Sequence, residues 1–361
     1  MRAQLYKLSF LLLLPCLCFA HIDTKGKHTR EKKVSKEFKV SANSNLEIDN
    51  SYGNVDITTW SENRVVIEVI IKVNGNDEDR VEEKLEDINI QFNQNSSGVK
   101  AKTHFSKENK SWWKTIFNGF DNVNMEVNYI IRAPETNNID ISNDYGGIYV
   151  DKLTGNARIN CDYGKIDIGE LRGKVNYLNF DYTRNSKIGY VKNVDINADY
   201  SDYEIEEAEN VTINADYSDS KIQKAVNVEF NCDYGSISIN KVKNLKGDGD
   251  YLTTKINRIF NSLELNQDYG SVSIEKIIKG TKNVSINTDY AGIKMGYDNE
   301  MSFKFDIKTS YGSIKGIDDL EVNKRRNEST SESISGRYGN GANAANINIT
   351  TSYGSVSLNK Q

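Results

Sequence analysis

The chain contains nine Asp-Tyr pairs in register, and the aspartates of these pairs are its most regular candidates for chemistry. Successive pairs lie 17 to 21 residues apart. If each pair marks one turn of a stacked β structure, the carboxylates lie about 4.8 Å apart, which is the spacing of paired strands. Like charges at that distance repel and carboxylate oxygens bind Ca²⁺, so the row is a candidate calcium site. The candidate ligands are Asp162, Asp181, Asp199, Asp216 and Asp233.

A structural role for these aspartates is the alternative to calcium binding. Aspartates in turns usually accept hydrogen bonds from their own backbone. The nine-residue Gly-Gly-x-Gly-x-Asp repeat of calcium-binding β-helices is absent from the sequence. These two observations favour the interpretation that the chain needs no cofactor. Ca²⁺ as a cofactor is the less favoured interpretation.

The tyrosines of the same pairs form a second regular series. Stacked aromatic rings can form an internal structural ladder or an exposed surface that binds sugars. Positions four and six residues before each tyrosine are apolar in ten of eleven repeats, the exceptions being Gly247 and Asn176. This period-2 alternation places the tyrosine on the buried side and favours the internal ladder. The series is Tyr145, Tyr163, Tyr182, Tyr200, Tyr217, Tyr234, Tyr251, Tyr269 and Tyr290, continued by Tyr311 and Tyr353 in Ser-Tyr-Gly.

An asparagine also recurs three residues before the tyrosine. Stacked amides hydrogen-bond from one repeat to the next, which favours an outward ladder that stabilises the fold. A flat polar face of this kind could instead contact a glycan. The members are Asn160, Asn179, Asn197, Asn214, Asn231, Asn266 and Asn287.

One aromatic cluster lies outside the repeats and has no clear strand period. It is interleaved with Lys110 and Lys114, so it could contact a glycan, a partner protein or lipid headgroups. The alternative is a flap that closes the open end of the repeat core. The candidate contact residues are Trp112, Trp113, Phe117 and Phe120.

Catalysis is disfavoured by the pattern of the titratable residues. The three histidines, His21, His28 and His104, are not spaced for a metal or a proton relay. An active site is one asymmetric constellation, whereas here the acids and aromatics recur in every repeat. Because some β-helical proteins cleave polysaccharides, a glycan lyase or hydrolase remains the enzymatic alternative.

The repeats predict an all-β fold. Each contains a strand, a Tyr-Gly corner, a second strand and a return loop, and such repeats bury their apolar faces only by stacking. We therefore expect a β-solenoid of about twelve coils over residues 135–361. The 42 residues between Tyr311 and Tyr353 fit two further turns of 21, and the polar stretch 323–341 is predicted to be a surface loop.

Residues 1–134 predict three segments before the repeats. Residues 1–20 have the charges and apolar run of a signal peptide, and residues 21–36 resemble a flexible leader. Pro15 and Leu17 disfavour lipidation of Cys16 or Cys18. Residues 37–134 predict a β-rich domain with one helix, in which Asn76 caps the helix and Pro134 marks the boundary.

Charge and hydropathy limit the function classes. The formal net charge is −5, and it becomes −7 after removal of the signal peptide. The sequence has no basic region for nucleic acid and no later apolar run long enough to span a bilayer. We therefore expect an extracytoplasmic protein in the periplasm, at the cell envelope or secreted, with a cell-surface glycan or an envelope protein as candidate partner.

Several sequence motifs resemble those of a known family. The signal peptide, Ser-Tyr-Gly-Asn-Val-Asp-Ile at 51–57, the serial Asp-Tyr-Gly turns and the final Ser-Tyr-Gly-Ser-Val-Ser-Leu at 352–358 resemble the bacterial "putative adhesin" family related to the head-GIN-domain proteins. The resemblance implies a β-helix of two sheets, a role in cell adhesion and no catalytic residues. This chain has Asp-Tyr-Gly corners where the head-GIN relatives have Gly-Ser-Gly.

The two cysteines after the signal peptide test this fold. Cys161 and Cys232 each lie two residues before a tyrosine, at positions that the alternation places inside. Four stacked coils would separate their sulfurs by about 19 Å, whereas a disulfide needs Cα atoms within about 7 Å. The thiols are therefore expected to stay reduced, which mass spectrometry of the non-reduced protein would check.

Overall fold

The protein is almost entirely β in the computed structural model, which describes residues 26–106 and 123–361. This confirms the all-β prediction, including a single helix in the described residues, α1 (Glu78–Asp87). The strands before the repeats are β1 (His28–Lys39), β2 (Asn45–Ser51), β3 (Val55–Trp60), β4 (Arg64–Gly75), β5 (Ile88–Asn95), β6 (Gly98–Phe105) and β7 (Val123–Pro134). The first repeats contain β8 (Asn138–Asp144), β9 (Gly147–Leu153), β10 (Ala157–Asp162), β11 (Lys165–Leu171) and β12 (Asn176–Asp181).

Longer strands follow because the pairing continues around the corners. They are β13 (Ser186–Asp199), β14 (Asp202–Asp216), β15 (Asp219–Asp233), β16 (Gly235–Ile277) and β17 (Asn283–Tyr297). The C-terminal strands are β18 (Phe303–Ser310), β19 (Ile314–Lys315), β20 (Glu321–Asn327), β21 (Ser331–Tyr338), β22 (Ala345–Ser352) and β23 (Val356–Lys360).

Successive repeats pair in parallel and in register. In the strand before the tyrosine, Val211 pairs with Val228, and Val228 pairs with Leu245. In the strand after the tyrosine, Ile205 pairs with Ile222 in the same way. Each repeat position therefore lies beside its equivalent in the next repeat, about 4.8 Å away.

The apolar positions that alternate in the sequence form the core. Ile196, Ile213 and Phe230 occupy one repeat position in three successive coils, and each is at most 1% exposed. Burial of such a side chain stabilises the fold by about 1.5–3 kcal/mol. Cys161 and Cys232 are buried as the alternation predicts, and both thiols are unpaired. Burial raises the pKa of Cys161 to about 12, which keeps this thiol protonated and unreactive.

Both exceptions to the apolar pattern have a structural cause. A Cβ on Gly247 would lie 2.1 Å from the Phe230 ring, so the large ring occupies the space that a side chain would need. The buried Asn176 donates to the carbonyls of Gly173 and Asn193 at 3.1 and 2.7 Å, and its Oδ1 accepts from the Ala157 amide. The amide therefore satisfies backbone groups at this corner.

The predicted flexible leader is wrong where the structure describes it. Strand β1 starts at His28 and pairs antiparallel with β4 along its whole length. Its alternating charged side chains hide the strand period, as is common in edge strands that resist aggregation. Asp77, not Asn76, caps the helix, because its carboxylate accepts from the Arg80 amide at 3.1 Å. Residues 1–25, including the predicted signal peptide, lie outside the described range.

Strands from the region before residue 135 pair directly with the repeats. Strand β2 pairs in parallel with β8, and β3 pairs in parallel with β9. At the outer side of β2 lies the antiparallel hairpin of β5 and β6. The domain boundary at Pro134 stays a prediction, but the hydrogen bonding of β2 and β3 is continuous with that of the repeats.

The C-terminal strands depart from the expected order. Strand β22 lies between β17 and β18, so the coil of Tyr353 is inserted between those of Tyr290 and Tyr311. The expected two further turns of 21 are therefore wrong. The predicted surface loop at 323–341 is also wrong over most of its length, because β20 and β21 form an antiparallel hairpin on β18. This hairpin covers an edge that would otherwise present unpaired backbone groups.

Candidate functional site

Twelve tyrosines at the corners of the coils form one continuous stack on the surface. Neighbouring ring centroids lie 4.6–5.2 Å apart, and the ring planes agree within 8°. We call these residues the tyrosine ladder: Tyr52, Tyr145, Tyr163, Tyr182, Tyr200, Tyr217, Tyr234, Tyr251, Tyr269, Tyr290, Tyr353 and Tyr311, in spatial order. Eleven steps of about 4.8 Å extend it over roughly 53 Å.

The ladder faces solvent, so the predicted interior position of the tyrosines is wrong. Tyr52 is partly exposed, and the other eleven are 40–60% exposed. The alternation argument fails because every ladder tyrosine has a positive φ of 53–66°. A residue in this left-handed region breaks the alternation of a strand, and its side chain leaves the face that parity would assign.

The positive φ is an unusual conformation for tyrosine. The left-handed region disfavours L-residues with a Cβ by about 1–2 kcal/mol and is mostly used by glycine and asparagine. Offset stacking on two neighbours offsets this strain by about 0.5–1.5 kcal/mol per pair. Strained residues that recur at one surface are a reason to examine that surface for function. Here the same strained residue type recurs twelve times along one edge.

The corner also explains the glycine or serine that follows most of the ladder tyrosines. A Cβ on Gly164 would lie 2.0 Å from the Gly146 carbonyl oxygen, so the backbones of neighbouring coils approach too closely for a side chain there. Where serine follows instead, its hydroxyl turns inward. The Ser218 Oγ donates to the carbonyl oxygens of Ala198 and Asp216, at 2.8 and 2.9 Å. The Tyr-Gly and Tyr-Ser corners therefore hold the ring in the same outward position.

The groups that the ladder offers to a ligand are ring edges and hydroxyls. Each internal ring has a neighbour on both faces, so a sugar cannot stack on those faces. None of the twelve hydroxyls has a hydrogen-bond partner among the residues that the structure describes. Desolvation and then the neighbouring phenols of Tyr217 and Tyr251 raise the pKa of Tyr234. The ladder is therefore a row of phenol hydroxyls, a group that can both donate and accept.

The aspartate row runs beside the ladder and has a structural partner. The Asp199 carboxylate accepts from the Asp216 amide at 3.1 Å, and the Asp233 carboxylate accepts from the Asp250 amide at 2.8 Å. Asp181, Asp216 and Asp268 make the same bond to the next repeat. One oxygen of each of these carboxylates is thus used to align neighbouring coils.

Calcium binding by this row stays a prediction. The five candidate ligands, Asp162, Asp181, Asp199, Asp216 and Asp233, do lie in one column along the paired repeats. Within residues 26–106 and 123–361, no group of three His, Cys, Asp or Glu side chains has the geometry to hold a metal ion. Burial first, and then the carboxylates of Asp162 and Asp199, raise the pKa of Asp181.

The predicted asparagine row three residues before the tyrosine lies on the outer face. Asn214 donates to Asn197 at 3.3 Å, and Asn287 donates to Asn266 at 3.1 Å. Asn266 also donates to Asp248 at 2.9 Å. Amide contacts between coils are therefore present, but they are interrupted along the row.

A tighter asparagine ladder lies at the opposite corner, seven residues before the tyrosine. Asn210, Asn227 and Asn244 each donate to the equivalent asparagine of the previous coil at 2.6–2.7 Å. Asn261 continues the row through Asn244. Sequence reasoning missed this row, although Asn recurs at that position in the first coils as Asn45, Asn138 and Asn156. Counting back from each tyrosine in the sequence would have revealed it.

One open cleft brings acidic side chains together with a lysine and a tyrosine, so it is the place to look for the enzymatic alternative. Asp151, Lys152, Glu170, Tyr190 and Glu207 are among its lining residues. Its groups are already engaged in the structure: the Asp151 carboxylate accepts from Thr59, and a hydrogen bond from Arg172 lowers the pKa of Glu170. A glycosidase acid needs a raised pKa, so Glu170 is unsuited to that role.

The predicted aromatic contact cluster lies outside the described residues. The segment 107–122 contains Trp112, Trp113, Phe117 and Phe120. Its interpretation as a contact surface and its interpretation as a flap over the repeat core therefore both stay predictions. In the described residues, no helix is both long enough and apolar enough to cross a membrane.

No protein-family model and no curated protein matches the chain. It is similar to solved structures of a putative cell adhesion protein from Clostridium sporogenes and of putative adhesins from Parabacteroides distasonis and Bacteroides fragilis. The first is 11% identical, with a TM-score of 0.19, over 92% of this chain and 100% of that chain. The second is 9% identical, with a TM-score of 0.34, over 91% and 97%. The third is 11% identical, with a TM-score of 0.24, over 91% and 97%.

Proposed function

We propose that the protein is a non-catalytic, exported binding scaffold of the adhesin type, and that the tyrosine ladder is its contact surface. The observation that carries this proposal is the ladder itself. Its tyrosines have strained backbones, half-exposed rings and hydroxyls without a hydrogen-bond partner in the described residues. A purely structural corner would be served with less strain by glycine or asparagine.

The scaffold in this proposal is a β-solenoid. In-register parallel pairing of successive repeats, with two strand segments per repeat, supports this architecture. The N-terminal sequence pattern of a signal peptide supports export. A solenoid presents the same side chain once per coil along a straight edge, which suits a long linear partner better than a compact one.

The chemistry of the edge favours a neutral linear glycan as partner. A sugar polymer offers a hydroxyl at short, regular intervals, and phenol hydroxyls can both donate to it and accept from it. The adjacent aspartate row is negatively charged, so it repels an acidic polymer. Many weak, equally spaced contacts add up along one chain, so binding should increase with polymer length.

Substitution of three consecutive ladder residues tests this proposal. In Tyr200→Asn, Tyr217→Asn and Tyr234→Asn combined, asparagine tolerates the positive φ while the hydroxyls are lost. The purified protein without residues 1–20 is tested on a glycan array, and by pull-down on insoluble cellulose and chitin. We expect the triple variant to lose at least about tenfold in affinity for the glycan that binds the unsubstituted protein.

Tyr177 supplies the matched control. It is 40% exposed but lies outside the ladder, so Tyr177→Asn makes the same chemical change elsewhere. The control should leave binding unchanged. Binding that survives the ladder substitutions, or the absence of any neutral glycan ligand, would refute the ladder as the contact surface. Release of reducing ends or unsaturated uronates from a bound polysaccharide would instead support the lyase or hydrolase alternative.

A further inference from the structure

A second polar site lies at the asparagine corner of the first repeats, opposite the ladder. It is a half-open cavity of about 340 Å³, and Asn138, Asn156, Arg172, Lys174 and Lys192 are among its lining residues. No acidic and no aromatic side chain is among the described residues that line it. A cavity of this size is at the lower end of the range for small-molecule sites.

The cavity occurs where the asparagine ladder is interrupted. The coil of Tyr182 has Val175 at the position seven residues before its tyrosine, where most of the other coils have asparagine. Asn156 therefore has no amide neighbour in the next coil, and its Oδ1 accepts from the Val175 backbone instead, at 3.1 Å. Its Nδ2 has no hydrogen-bond partner in the described chain. In a continued ladder this Nδ2 would donate to the Asn138 Oδ1, but that oxygen accepts from the Asn156 backbone amide at 3.0 Å instead. The Asn156 side-chain amide is therefore available as a donor at the cavity.

The charges around the cavity are unbalanced. The ammonium groups of Lys174 and Lys192 are exposed, and neither has an ion-pair partner among the described residues. Arg172 pairs with Glu170 through its Nε at 2.6 Å, and its guanidinium lies over the Tyr190 ring. This pair holds the guanidinium in place at the rim. The cavity thus combines two unpaired cations, one oriented guanidinium and an unpaired amide donor.

We propose that this cavity binds the carboxylate-bearing sugar residue of an acidic glycan. Ammonium and guanidinium groups favour a carboxylate, and charge-assisted hydrogen bonds are the stronger ones. The amide and threonine groups of the lining suit sugar hydroxyls. A nucleotide is a poorer fit, because no described aromatic side chain lines the cavity for a base to stack on. The site is distinct from the tyrosine ladder, which faces a negatively charged row.

A matched pair of ligands tests the proposal on the protein without residues 1–20. A uronic acid disaccharide and its carboxyl-reduced, neutral counterpart are titrated by isothermal calorimetry. We expect the acidic disaccharide to bind at least about tenfold more tightly. Lys174→Gln combined with Lys192→Gln should remove most of this preference. Asn156→Asp should weaken binding as well, because it adds a negative charge while its Oδ1 can still accept from Val175.

Lys241→Gln combined with Lys243→Gln is the control, since it removes two exposed cations from another repeat. Equal loss in this control would show general charge attraction and overturn the site. Equal affinity for the neutral disaccharide, or no binding of the acidic one, would overturn it too. Inorganic sulfate that binds as tightly as the disaccharide would reduce the site to a simple anion site and refute the sugar. The Tyr200, Tyr217 and Tyr234 variants should retain this binding, which separates the two proposals.

Discussion

The two corners of each coil solve the same problem in different ways. At the asparagine corner, the side-chain amides of Asn210, Asn227 and Asn244 bond one another from coil to coil. At the tyrosine corner, the rings of residues such as Tyr217 stack, but their hydroxyls have no partner in the described chain, and the backbone is strained. One corner satisfies its polar groups internally, whereas the other leaves them available.

This difference is the reason for proposing a structural role for one ladder and a binding role for the other. A repeated residue whose polar atoms are all used within the fold needs no ligand to explain it. A repeated residue that costs backbone strain and presents solvent-exposed hydroxyls needs a further reason. We therefore assign the asparagine ladder to stability and keep the tyrosine ladder as the proposed contact surface. The cavity beside Asn156 lies where the asparagine ladder is broken.

The largest expected difference between the corners is in stability. Replacing Asn210, Asn227 and Asn244 with alanine removes four amide contacts, at about 0.5–1.5 kcal/mol each. We expect a loss of about 2–6 kcal/mol in a urea titration. The variant with Tyr200, Tyr217 and Tyr234 changed to Asn loses ring stacking, but asparagine relieves the backbone strain. Its loss of unfolding free energy should therefore stay under about 2 kcal/mol. Equal losses at both corners would contradict the division of roles.

The repeat architecture could be predicted from the sequence, because a fixed period and an alternating apolar pattern report directly on stacking strands. The direction of the tyrosines could not, since one positive φ reverses what the alternation predicts and Asp-Tyr-Gly does not reveal that φ. The C-terminal order was missed for a different reason. The 42-residue step contains a hairpin of polar residues, β20 and β21, whose strand character depends on covering an edge rather than on its own composition.

The candidate site was predictable in part. The ladder residues Tyr145 to Tyr290 were found from their spacing, but their role as an exposed surface was not. The exposed row of hydroxyls depends on the positive φ of each tyrosine, which the sequence does not show. The cations of the cavity at Asn156 come from neighbouring coils, so they come together only in the folded chain. The recurrence of asparagine seven residues before most of the tyrosines would have revealed the second ladder.

A smaller effect tests the positive φ of the ladder directly. Tyr217→Gly should be more stable than Tyr217→Ala by about 1 kcal/mol, because alanine is strained at φ 54° and glycine is not. Thr212 supplies the control, as an exposed residue of strand β14. There the order should reverse, with alanine more stable than glycine. Thermal unfolding of the four variants tests this prediction. A higher melting temperature for Tyr217→Ala than for Tyr217→Gly would argue against the strained corner.

The smallest effect concerns charge beside the first ladder residues. Burial, and then the carboxylates of Asp162 and Asp49, raise the pKa of Asp144. The folded state therefore holds this proton more tightly than the unfolded chain, so ionised Asp144 lowers stability at neutral pH. That loss disappears as the pH falls through the raised pKa towards the unfolded value of about 3.9.

Asp144→Asn should accordingly raise stability at pH 7 by about 0.5 kcal/mol, a small value because the carboxylate is partly exposed and screened. The gain should vanish near pH 3.5. Glu321→Gln provides the opposite sign, because a hydrogen bond from Arg337 lowers the pKa of Glu321. Glu321→Gln should therefore lower stability at pH 7, and this loss of stability should fade in acid. Melting curves at both pH values measure the pair, and a gain for Asp144→Asn that persists in acid would show that charge repulsion is not its cause.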